Sequence, residues 1–451
     1  MRYLLALLIL FLTTADVFGW SASMAPGLSI KNAILYLIIL ALTLRFVVRG
    51  GLRLQLPQVH LWFAVLVAYA TLSWLATGLL VRYSSYTLLS SGIDLKAALL
   101  DNALVFVLFL YGTQTWADVR FLLNCLLLAV AAANAIAIGN AAGVFHIGIT
   151  TVGTEGNLAG RVFGAFGHAN ETSALIVALL PAYIAATLSA TGVARLLWMA
   201  AGVGSANLMI MTGSRGAFVG LLVAIIAGSV ICRNIVSWRR AALLAMVIVA
   251  IIVPVFALVS LGFGEVFTHR VTELILSPGT SSGERTYIWQ PVIDKMLKNP
   301  IAMITGFGWA SYDVSGFVFS AHNYYLQLWF ELGIAGLLSY LLLIRSLLVV
   351  ARRSAADAPD EAARYLVAFV YGIVGLSGAL VFSVIYRPWL YVWMYTGLTM
   401  RMALLARQSA RLETGSEQRT TPGPRVAAAK RGAARSAAQS PTLHRGKSSR
   451  N

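Results

Sequence analysis

The chain has 451 residues, of which 59% are hydrophobic and only 11% charged, with a formal net charge of +17. A soluble core of this length needs far more polar surface, so the composition excludes an ordinary globular enzyme and places the chain in the polytopic membrane class. Two cysteines, Cys125 and Cys232, lie in or at the ends of apolar runs, which argues against a disulfide framework or a thiolate metal site.

In chain order, apolar runs predict about twelve membrane-spanning helices. The first, 3–18, follows Arg2 and precedes Ser21-Ala22-Ser23, so it also resembles a signal peptide. The next seven are 28–48, 59–80, 95–111, 119–142, 171–190, 196–211 and 217–232. The last four are 241–261, 323–350, 365–382 and 390–405, and between the first two of these a polar loop of residues 262–322 should hold short helices. The expected fold is all-α and polytopic: a transmembrane domain over 1–406, then a disordered basic tail over 407–451.

Charge sets the orientation. From Arg401 onward there are eleven Lys or Arg and two Glu, with no aromatic residue among them, so the tail reads as a topology signal and a contact for anionic membrane lipids rather than a nucleic-acid binder. An inside N-terminus puts Arg45, Arg49, Arg53, Arg233, Arg239, Arg240, Arg345, Arg352 and Arg353 on the cytoplasmic side with the tail. Residues 143–170, the turn at Arg215, the loop 262–322 and Arg387 then face outward, where topology does not explain an arginine.

Four outer segments carry chemistry. In 160–170, a cation and glycines are interleaved with Phe163, Phe166 and His168 ahead of an expected N-cap at Asn170; this suits a bulky sugar or isoprenoid ligand, or simply a re-entry loop. Thr212-Gly213-Ser214-Arg215-Gly216 is a tight turn in which Ser214 is expected to cap the next helix. Arg215 at that helix start is either a snorkelling interfacial residue or one arm of a diphosphate clamp. Gly283-Glu284-Arg285-Thr286 opens an amphipathic helix running to Pro300, with Arg285 and Trp289 one turn apart and Trp289 at headgroup depth. His322, followed by Asn323 and Tyr324, stands at a predicted helix N-terminus, where the dipole favours neutral imidazole; it is either a capping or interfacial residue or a base or hydrogen-bond acceptor.

Taken together, Thr212-Gly213-Ser214-Arg215-Gly216, Gly283-Glu284-Arg285 with Trp289, Gly306-Phe307-Gly308, Ala321-His322-Asn323-Tyr324 and Glu331-Leu332-Gly333 with Gly336 resemble the O-antigen ligase and polymerase superfamily over residues 161–340. The resemblance implies a metal-independent glycosyltransferase working on the periplasmic face of the bacterial inner membrane, with an undecaprenyl-diphosphate-linked glycan as donor. The acceptor would be lipid A core for a ligase, or another glycan for a polymerase of O-antigen or exopolysaccharide repeats. Arg215, Arg285 and His322 match the family's catalytic positions, while Arg161, His168, Asn170, Trp289, Asn323, Tyr324 and Arg387 are the accompanying binding candidates. No Asp-x-Asp pair occurs in the outer loops, so neither metal nor other cofactor is expected. A transporter of the same lipid-linked sugar is the reading from a different class, disfavoured by the large loop and the lack of visible inverted repeats.

Overall fold

Small residues decide which helices touch. In the computed structural model, which describes residues 1–20, 23–48, 55–81, 83–144, 146–149, 152–153, 160–236, 278–383 and 389–420, helix α13 (Asp360–Ala379) is wedged between α7 (Ala169–Ser189) and α9 (Arg215–Ile231). A Cβ at Gly220 would stand 2.6 Å from the Gly375 carbonyl, and one at Gly228 would stand 2.9 Å from the Tyr371 ring. Backbones that close leave room only for glycine, the close-approach packing found between membrane helices.

The preceding helices are α1 (Arg2–Phe18), α2 (Ile30–Val48), α3 (Pro57–Ala76, prolonged by a π turn Thr77–Val81), α4 (Leu88–Leu95), α5 (Asp101–Gly112), α6 (Trp116–Ala141) and, after α7, α8 (Gly192–Met211). A short antiparallel hairpin, Ser23–Ala25 with Leu28–Ser29, joins α1 to α2. Helix α1 packs on α6 with Leu5, Leu8, Ile9 and Leu12 buried. Two carboxylates inside these helices are paired: Asp101 accepts from Tyr36 (2.6 Å) and Asn32 (2.8 Å) and meets Lys96 at 2.9 Å, and Asp16 pairs with Lys31 and accepts from Tyr391. Such satisfaction is what a low-dielectric interior demands of a carboxylate.

Seven helices among the described residues are long and apolar enough to cross a membrane: α2, α3 with its π turn, α6, α7, α8, α12 (Tyr324–Ala356) and α13. The apolar α9 is shorter, at 17 residues. The expected span 241–261 and the first part of the large loop lie outside the described residues. The chain is therefore a multi-pass helical protein, with the count of twelve left as an expectation.

Two further helices, α10 (Pro278–Leu297) and α11 (Pro300–Thr305), lead into α12. Helix α10 begins at Pro278 rather than at the expected Gly283, and it tolerates Pro291 inside it. Helix α12 is broken at Gly333 (φ 63°, ψ −171°). The interruption exposes carbonyls that the segment after α11 uses: Phe307 N–H donates to Phe330 O and Gly308 N–H to Glu331 O, both at 2.9 Å. Phe307 stacks on Phe330 with ring centroids 4.5 Å apart. Cβ atoms at Gly306 or Gly333 would run into the Glu331 and Ile304 carbonyls, respectively. Tyrosine hydroxyls of α3 and the loop after it pin the same segment, Tyr69 to Thr305 O, Tyr83 to Phe307 O and Tyr86 to Trp309 O.

The last helix, α14, spans Trp389–Thr420, and Tyr391, Met394, Tyr395, Leu398 and Met402 are fully buried. The chain divides into two units, Met1–Ala406 and Arg407–Asn451. Residues 421–451, most of the expected tail, lie outside the described ones.

Candidate active site

The turn between α8 and α9 is the first wall of the site. Val162 N–H donates to Met211 O (3.1 Å), and Arg161 Nε donates to Thr212 O (2.7 Å) while its Nη2 donates to Asn170 Oδ1 (2.8 Å). The sequence expectation for this loop needs correction. His168, not Asn170, occupies the N-cap of α7, its Nδ1 accepting from Asn170 N–H at 3.4 Å and its ring stacking on Phe163 at 5.3 Å. Asn170 lies one residue into the helix, which frees its side chain to hold Arg161. Ser214 does sit at the N-cap of α9, but its hydroxyl makes no capping bond; its own N–H donates to the Thr212 hydroxyl instead. Arg215 follows as the first residue of α9, partly exposed at the positive end of the helix dipole.

The second wall is the segment entering α12. Trp289 of α10 donates its indole N–H to Ala321 O at 2.8 Å, tying the amphipathic helix to the residue before His322. His322 itself has φ 45°, a left-handed conformation uncommon for a residue with a side chain. Helix α12 starts two residues later, capped by Asn323 Oδ1 accepting from Leu326 N–H at 3.0 Å. Tyr324 N–H donates to Leu380 O and Ser383 O, and its ring packs edge-on to Tyr340 (5.2 Å) and tilted on Trp389 (5.6 Å).

Phe382, just past α13, joins the two walls. The Arg285 guanidinium lies 4.7 Å from its ring centroid, and a Cβ at Gly216 would stand 2.7 Å from its Cβ. Arg285 thus sits on the face of a ring whose stem abuts the residue after Arg215. Nothing in the sequence around Phe382 marks it, since it reads as one more apolar residue at the end of a span.

The electrostatics of the pocket have one sign. Burial, then the charges of Arg285 and Arg161, push the His322 imidazole below the ordinary 6.5. His168 is lowered by burial, then by Arg161 and by His322. The neutral state expected from the helix dipole is therefore attributable first to desolvation and to two arginines. The structure brings together Arg161, His168, Asn170, Arg285, Trp289, His322 and Asn323, with Arg215 joined through Gly216 and Phe382. Arg387 lies outside the described residues. A neutral imidazole among guanidinium groups can accept a proton from a hydroxyl while the cations hold an anion beside it.

Comparison with known families places part of this region in a family. Residues 200–341 match the family model for O-antigen ligase. The matched stretch contains Arg215, Arg285, His322 and the Gly306 and Gly333 elements, and it supports the O-antigen ligase and polymerase superfamily expected from the motifs. No curated protein matched the chain. The ligase-family stretch runs from within α8 to the first half of α12, whereas Arg161, His168, Asn170 and Phe382 complete the pocket from outside it.

Proposed function

We propose that this protein is an O-antigen ligase-like glycosyltransferase that moves a glycan from undecaprenyl diphosphate to a hydroxyl of an acceptor such as lipid A core, on the periplasmic face of the inner membrane. The observation that carries the reading is the juxtaposition, within the family-matched stretch, of Arg285 and a histidine whose proton affinity is lowered by burial and cationic neighbours. In the proposed step the acceptor oxygen attacks the anomeric carbon, the bond from that carbon to the diphosphate oxygen breaks, and its electron pair leaves with the diphosphate. The hydroxyl proton passes to His322. Arg215 and Arg285 stabilise the charge that develops on the leaving group, the part a divalent metal plays in other glycosyltransferases. His168, Asn323, Tyr324 and Arg387 are assigned to holding substrate around these three.

The same chemistry with a second lipid-linked repeat as acceptor would make the protein a polymerase, and the family match is compatible with either. The experiment is covalent transfer by purified protein from an undecaprenyl-diphosphate glycan, with lipid A core present or absent. Product on lipid A core supports the ligase reading, and lengthened lipid-linked glycan without it supports polymerisation. Movement of intact donor across a vesicle membrane with no new glycosidic bond would sink both and leave a transporter.

A further inference from the structure

We propose that Arg161 is a positioning residue of this site, a buried cationic clasp that fixes the turn carrying Arg215 and faces both histidines, and that it does not contact the donor. The inference rests on the reading of Arg215 as a ligand of the anionic leaving group. Arg161 is 4% exposed, whereas Arg215 and Arg285 are partly open, so of the three arginines it is the one withdrawn from an incoming substrate. Its planar fork is already engaged, Nε on Thr212 O and Nη2 on Asn170 Oδ1. The backbone on either side is pinned as well: Gly153 N–H donates to Arg161 O at 2.9 Å, and Val162 N–H to Met211 O.

What the clasp does follows from the turn it holds. Helix α8 ends at Met211 with Thr212 as its C-cap, and α9 begins at Arg215, so a carbonyl-rich, partially negative helix end lies beside a partially positive one. Left alone, the first would offset the attraction of the second for an anion. Arg161 sits on the Thr212 carbonyl and neutralises the negative end, which leaves the start of α9 electropositive. The same guanidinium reaches α7 through Asn170, so three helix ends are referred to one side chain. Among the described residues, the charged and titratable groups facing His322 are Arg285, Arg161 and His168, all cationic or neutral.

The test compares Arg161→Gln, Arg161→Lys and Asn170→Ala with wild type in two readouts. Transfer kinetics should show kcat lowered about a hundredfold in Arg161→Gln, the scale of an ångström-sized misplacement, with KM within about twofold. Histidine titration by NMR in detergent, without substrate, should show His322 and His168 gaining a proton at higher pH in Arg161→Gln than in wild type, and at the wild-type pH in Arg161→Lys, which keeps the charge. Asn170→Ala leaves the Thr212 contact and the charge in place, so it should lower kcat without moving either titration; it carries the test if Arg161→Gln fails to insert. Unchanged histidine titration in Arg161→Gln, or a raised KM with kcat preserved, overturns the clasp. Because titration needs no substrate, a wild-type protein that transfers nothing would defeat the proposed function while the histidine shift still decided the role of Arg161.

Discussion

Two motif-bearing regions of the ligase-family stretch are built on opposite principles. At the seam where Gly306–Gly308 meets the break in α12, backbone touches backbone and the constraint is steric: two residues with positive φ pack where any Cβ would strike a carbonyl. In the pocket around His322 the constraint is electrostatic, with arginines crowded against imidazoles that burial has already discouraged from charging. Both carry motifs of the family, yet under the proposed roles only the second offers atoms to a substrate. A motif residue is therefore evidence of function only after its packing role has been subtracted.

The sharpest way to break that contrast is to remove the pocket's charges. Arg215→Ala, Arg285→Ala and His322→Ala should each reduce transfer by at least about a hundredfold while membrane insertion stays normal, as measured by product yield and membrane-fraction immunoblot. Wild-type transfer by any of the three would take that residue out of the mechanism. At the seam the outcome should be reversed. Gly333→Ala puts a side chain on a left-handed residue against the Ile304 carbonyl, so folded, detergent-extractable protein should fall several-fold, and whatever folds should transfer glycan at nearly the normal rate per molecule. Normal yield with no activity would show that the seam belongs to the chemistry.

Acidity separates the regions more gently. In the proposed mechanism the histidine is the proton acceptor and its affinity is depressed below 6.5, so transfer should hold at pH 6.5 and fall only as pH drops through the lowered value. Stability follows the same sign: below about 6.5 an unfolded chain would bind protons that folded His322 and His168 refuse, so the folded state loses stability as pH falls. A rate that already halves at 6.5 would mean that neither burial nor the arginines lower the titration of the proton acceptor. Two manipulations should change least. Stripping metal with EDTA should leave product yield intact, and restoration of a lost activity by magnesium or manganese would reopen the search for a carboxylate site. Truncation after Gln408 should spare the rate per inserted molecule; complete loss would give the basic tail a role in transfer.

The all-helical, multi-pass character was legible because membrane spans need long apolar runs, and the family was legible because its motifs recur in order. What the sequence did not reveal is what depends on distant partners. Asn170 looks like an N-cap by residue type, but Arg161 draws its side chain away, and His168, which no propensity argument favours, takes the position. Ser214 looks like a cap and is one only in backbone. Glu331 stands in the sequence only as part of a family motif; that Gln327 donates to it at 3.1 Å inside the span is seen only in the structure. The pairing of Gly306 with Gly333 and the role of Phe382 are contacts between elements that no local window contains.

One consequence follows from the glycine-lined crossing of α9 and α13. Arg215 starts one of these helices, and Arg285 rests on a phenylalanine just beyond the end of the other. Gly220 nearly touches Gly375 where the helices cross, so both guanidinium groups are anchored to one close-packed helix pair, Arg215 directly and Arg285 through Phe382. Under the proposed roles, a donor with two phosphates offers one anion to each arm, whereas a carrier with one phosphate has a single anion to divide between them.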